Sequence, residues 1–172
     1  MPGQVKAIIP EKLDSKAMMK VLHDEVAKFA PFLIKDFERT TSFWKGEKPK
    51  FTPVVKESGR EIRLQIRVLG PKKGRDKWRY LNEGTRPHKI RPKGNYPLRF
   101  QSGYSAGSSP KSTFVMSGKA SGPEVHAKEV NHPGFPAREW SQLIVKEKQV
   151  PFERWMKAAM ETAARVSGHQ IK

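Results

Sequence analysis

The apolar positions of the chain change period along its length. Met18, Leu22, Val26, Phe29, Leu33 and Phe37 recur every three or four residues. That spacing puts one apolar stripe on one face of an α-helix. Lys16, Lys20, Asp24, Lys28 and Lys35 fall off the stripe. Asp14 or Ser15 can cap the helix, because either side-chain oxygen accepts from a free first-turn amide. Pro31 predicts a kink or a break, since proline removes one helical hydrogen bond. The stripe reads as core or as a subunit contact, and Phe43-Trp44 ends the region.

The period then shortens to two. Ile62, Leu64, Ile66 and Val68 alternate with Arg63, Gln65 and Arg67, the pattern of an antiparallel strand with one wet face. Phe51 to Lys56, with Pro53 inside, predicts an irregular or edge strand before it, and Ser58-Gly59 is the turn signal between them. Gly70 to Gly74 predicts a basic loop. Trp78 to Thr85 predicts a short aromatic helix or turn that ends at Gly84. Arg86 to Pro92 is too rich in proline for a central strand and reads as extended, at a sheet edge or in a loop. Leu98 to Phe100 predicts a short strand.

Beyond this point the pattern thins. Residues 101–112 are rich in Ser and Gly and read as a flexible excursion. Thr113 to Met116 predicts a strand, Ser117 to Pro123 a further loop, and Val125 to Val130 a weaker strand. Pro136 and Pro151 each predict the start of a terminal helix. Trp140, Leu143, Ile144 and Glu147 share a face of the first. Phe152, Trp155, Ala159, Thr162 and Val166 share a face of the second, which stops at Gly168. The order of elements predicts an α+β fold: a long N-terminal helix, a small antiparallel sheet with long loops, and C-terminal helices. A single domain over 1–172, with a flexible insertion at about 101–123, accommodates it.

Composition narrows the chemistry. The 172 residues carry 34 Lys and Arg against 17 Asp and Glu, a net charge of +17, and no cysteine. Disulfides and thiolate metal sites are therefore excluded. No apolar run is long enough for a membrane span, and Met1 to Lys6 has no apolar signal core, which predicts a protein made in a cytoplasm. Residues 45–100 hold 17 basic and five acidic residues. Such a field attracts polyanions. It fits a solvated face, or a surface near DNA, RNA or an acidic partner; Arg63, Arg67, Lys72, Lys73 and Arg75 are the candidate contacts. Trp78, Tyr80, Tyr96 and Phe100 lie among these and further cations, as stacking groups or as core and interface anchors.

Catalytic and cofactor motifs do not emerge. The five histidines lack metal-ligand spacing, and there is no phosphate-binding glycine loop, dinucleotide fingerprint or nucleophile elbow. No cofactor and no metal are expected. Glu83, Arg86 and His88 have the residue types of an acid–base trio in a small hydrolase or toxin. A Glu that ends a helical turn and pairs with a nearby cation accounts for the same residues without catalysis.

Two segments carry a resemblance: Trp78-Arg79-Tyr80-Leu81-Asn82-Glu83-Gly84-Thr85-Arg86-Pro87-His88-Lys89-Ile90 and Val130-Asn131-His132-Pro133-Gly134-Phe135-Pro136-Ala137-Arg138. Together they resemble the neck and tail-component proteins of long-tailed, non-contractile phages and prophages. Members of that family show an aromatic-Leu-acidic-Gly-Thr segment, then Pro-His, and a later His-Pro-Gly segment before a terminal helix. The resemblance spans roughly residues 13–166. Glu57 to Arg63 only approximates the family's Thr-Gly-x-Leu-Arg segment, and 101–123 is longer and more polar than expected. The resemblance implies a non-enzymatic virion protein of head–tail joining or tail completion. Its implied partners are tail-terminator, head-completion and tail-tube proteins, with a homo-oligomeric ring and genomic DNA near its basic face, and no membrane. Trp78, Tyr80, Glu83, Arg86, His88, His132, Phe135 and Arg138 are the implied interface residues. A basic nucleic-acid-binding protein outside any virion is the competing expectation.

Overall fold

The computed structural model describes residues 14–58 and 61–168. It is α+β. A long helix α1 (Ser15–Arg39) leads into strands β1 (Lys50–Ser58) and β2 (Glu61–Leu69), then helix α2 (Lys72–Glu83). Four strands follow: β3 (His88–Ile90), β4 (Leu98–Ser105), β5 (Lys119–Ala127) and β6 (Val130–His132). Helix α3 (Trp140–Val166) closes the fold. The strands form three separate pairs, β1 with β2, β3 with β6, and β4 with β5.

The chain divides into two compact units. In the described residues, the first holds 14–31, 53–58, 61–65 and 149–168. Leu22, Ala159 and Ala163 form its buried cluster, with Met18, Ile62 and Met156 packed on it. Phe29 meets Phe152 and Trp155 edge-on, at 5.0 and 5.9 Å between ring centroids. The second unit holds 32–52 and 66–148. Its core is Phe37, Phe51, Trp78, Val115, Trp140 and Ile144, with Leu33, Trp44, Ile66, Val68 and Leu81 against it.

Much of the periodic pattern is realised. Asp14 caps α1, its Oδ1 accepting from the Ala17 amide at 2.9 Å. Burial along β2 alternates at every residue, with the arginines on the wet side. Gly84 ends α2 at φ 79°, and Gly168 follows α3 at φ 88°.

Other expectations are corrected. Helix α1 runs through Pro31 without a break, and α3 is one helix that runs through Pro151 instead of two. A proline removes only one intrahelical bond. Side chains buried on either side of it (Phe29 and Phe37; Ile144 and Ala159) hold each helix to a core. Pro136 lies before α3. On α3, Ala163 is buried where Thr162 and Val166 were expected to be; both of those are exposed. The basic loop shrinks to Gly70-Pro71, so Lys72, Lys73 and Gly74 belong to the first turn of α2. Residues 101–105 and 119–123 are paired strand instead of flexible loop, and Thr113 to Met116 forms only an isolated bridge, Ser108 with Val115. The expected Gly59 turn and His169 lie outside the described residues.

Candidate functional site

The two segments that carry the resemblance meet in the second unit. Thr85 and Phe135 exchange both backbone hydrogen bonds, at 3.0 and 3.2 Å. Strands β3 and β6 continue the pairing, setting His88 opposite His132, Lys89 opposite Asn131 and Ile90 opposite Val130. Towards α3, the Arg138 amide donates to the Leu81 carbonyl (2.9 Å) and the Glu139 amide to that of Asn82 (3.0 Å). Two glycines make this approach possible. A Cβ at Gly84 would collide with the Ala137 amide, and one at Gly134 with the Thr85 carbonyl oxygen. Both sit at positive φ, a region that L side chains resist.

Side chains lock the same junction. The Asn82 Oδ1 accepts from the Ser141 amide (2.9 Å) and hydroxyl (3.2 Å), and so caps α3 from a distant part of the chain. Trp78 donates from Nε1 to the Thr40 hydroxyl (3.0 Å), and that hydroxyl donates on to the Phe37 carbonyl. Trp140 donates from Nε1 to the Ser112 carbonyl. The two indoles lie 6.3 Å apart in the core. The N–H groups of these two indoles thus each have an acceptor, which removes the penalty of an unmet donor.

Of the eight expected interface residues, two are interior. Trp78 is core. Arg138 is buried, with Nε on the Ser108 hydroxyl and Nη1 on the Pro136 carbonyl. These two build the site and do not present it; an aromatic flanked by cations satisfies a core position as readily as a surface one. The other six are at least partly accessible and line a single cleft of about 620 Å³: Tyr80, Glu83, Arg86, His88, His132 and Phe135. Tyr80, His132, Phe135 and Arg138 also line a larger cleft of about 980 Å³.

The His88 and His132 rings stack, with centroids 5.0 Å apart, and Phe135 meets His132 edge-on. Their tautomers follow from their backbone partners. His88 Nδ1 lies 2.8 Å from the Arg86 carbonyl, which only accepts, so its proton sits on Nδ1. His132 Nδ1 accepts from the Gly134 amide at 3.0 Å, so its proton sits on Nε2. Each ring thus spends one nitrogen on the backbone of its own segment, and the stacking of the two rings joins the segments. Nearby, Glu129 pairs with Lys89 and Arg91. Hydrogen bonds from Lys89 first, and then from Arg91, hold its carboxyl below the usual carboxylate range. Glu83, Arg86 and His88 share the cleft, but no hydrogen bond or ion pair joins the Glu83 carboxylate to either. Among the described residues, no three His, Asp or Glu side chains gather as metal ligands, and no helix is long and apolar enough to cross a membrane.

The expected polyanion contacts divide. Arg63 is exposed and paired with Glu61 at 2.7 Å, and Arg67 is exposed on the same wet face of β2. Lys72, Lys73 and Arg75 are exposed in the first turn of α2, which has no acidic residue. Residues Thr40, Asn82 and Ser112 escaped sequence reasoning, because an uncharged polar residue beside a charged or polar one carries no periodic signal. Compared with protein-family models, with curated proteins and with solved structures, the chain finds no match in any of the three.

Proposed function

We propose that this chain is a structural protein of the neck or tail of a long-tailed, non-contractile phage. It acts in head–tail joining or tail completion by docking to neighbouring ring proteins. The observation that carries the reading is the ladder between 78–90 and 130–138. The two segments that resemble that family are distant in sequence, yet they form one backbone-bonded unit around Gly84 and Gly134. A motif whose glycines, histidines and asparagine all serve to hold two chain segments together is a scaffold for presenting surfaces. The exposed rims of the two clefts and the aromatics of the β4–β5 pair supply those surfaces. In this reading the chain forms a ring itself and meets tail-terminator, head-completion or tail-tube proteins. Its basic side lies near genomic DNA, and it performs no catalysis.

The test is particle assembly in a phage from which the chain is deleted. The reading predicts filled heads and separate tails that join when the chain is supplied; complete, infectious particles without it would refute the reading. A second reading, a nucleic-acid-binding protein outside any virion, is favoured by the charge of the second unit, where 22 basic residues face nine acidic ones. It predicts duplex binding that weakens steeply with salt and no effect on assembly.

A further inference from the structure

The larger cleft of the second unit, about 980 Å³, has an uneven distribution of charge. Lys73, Asp76, Lys77 and Tyr80 line it from α2 at i, i+3, i+4 and i+7, one face of the helix. Asp76 is paired with Arg79 at 3.8 Å, which leaves the lysines as the uncompensated charges of that face. Lys45 adds a third cation and Arg138, buried in the wall, a fourth. The segments 104–108 and 115–118 line the cleft without any charge, and Leu81, Val115 and Trp140 supply apolar lining from the core. Lys77 Nζ rests 4.2 Å from the centre of the Trp44 ring, its counter-charge met only by a π face.

We propose that this cleft binds an acidic, extended peptide segment of a partner protein, anchored by one aromatic or aliphatic side chain. Charge complementarity selects the occupant. Lys73 and Lys77 are one turn apart, about 6 Å along the helix. Alternate residues of an extended strand project to one side about 6.6 Å apart, so acidic residues two apart reach both ammonium groups. The apolar lining takes the anchor. A nucleic-acid strand would leave the uncharged segments 104–108 and 115–118 without a role. An independent observation agrees: Lys73, which lines the cleft, stands in the first turn of α2, where the helix dipole disfavours a cation. Charges kept at an unfavourable place point to an anion that meets them on binding.

The proposal rests on the docking role above and names the chemistry of one partner. Its test uses the full chain and a random copolymer of glutamate and tyrosine, with polyglutamate and oligothymidylate of similar length as comparisons. The copolymer is expected to bind more tightly than polyglutamate and to change Trp44 emission as Lys77 leaves the ring. A Trp44→Phe variant should lose that change. Lys73→Glu/Lys77→Glu should weaken binding about tenfold, the equivalent of ~1.4 kcal/mol. Lys146→Glu/Lys157→Glu, with the same change of net charge, should have little effect; Lys73→Gln/Lys77→Gln serves if the reversal does not fold. Equal loss in both reversal variants, equal binding of polyglutamate, or oligothymidylate binding that outcompetes the copolymer and depends on Lys73 and Lys77, would each overturn the proposal. Copolymer binding with no defect in particle joining would uphold the cleft and refute the virion role. Normal joining by the lysine variants, with joining lost on deletion, would refute the cleft alone.

Discussion

The junction of 78–90 with 130–141 and the ribbon of β4 with β5 are both made of paired backbone, yet their sequences look nothing alike. The junction is dense with residues that have no freedom: Gly84 and Gly134 where a Cβ cannot fit, Asn82 capping α3, histidines fixed by backbone partners. The ribbon is wet on most of both faces, and its aromatics stand out in solvent, Tyr104 at 71 % exposure and Phe114, in the loop between its strands, at 69 %. A two-stranded ribbon with no buried face is marginal by itself in water. The lesson is that backbone pairing leaves a sequence signature only where close approach or burial restricts the residue. Where neither does, a strand reads as a loop.

The sharpest way to break this comparison is Gly134→Ala. The added methyl meets the Thr85 carbonyl at a positive φ, so a loss of about 3 kcal/mol is expected in urea denaturation. Asn82→Ala removes a cap and leaves the Ser141 amide unmet in a half-buried place, for about 1–2 kcal/mol. Tyr104→Ser on the ribbon should change stability by less than about 0.5 kcal/mol while weakening any docking that uses it. If the ribbon variant destabilised as much as the junction variants, the contrast between the two regions would fail.

The same contrast explains what the sequence disclosed. The stripe of α1, the cap at Asp14, the alternation of β2 and the stop at Gly84 were legible because each follows from one local rule. Pro151 misled as a helix start, and Pro31 does not break α1, because a single lost hydrogen bond is outweighed when the helix is pinned to a core on both sides. The first part of strand β5 was missed because Lys119 to Gly122 shows no apolar period and its glycine reads as a turn, while Val125 to Ala127 fell within the weaker strand expected there. At the site, six accessible residues were found by motif, whereas Trp78 and Arg138 proved to be interior. Arg138 is the instructive one: a buried guanidinium satisfied by a serine hydroxyl and a carbonyl looks, in sequence, like any surface cation.

The central claim is that the chain's cations and aromatics serve docking to other proteins through specific surfaces, and not only attraction to polyanions. Sedimentation velocity of the purified chain, at low and at high salt, tests it most directly, with and without the ring proteins proposed as its partners. The account predicts a ring or a partner complex that persists at high salt, because aromatic and backbone contacts are not screened. A chain that stays monomeric throughout, and whose only association is duplex binding lost as salt rises, would contradict it.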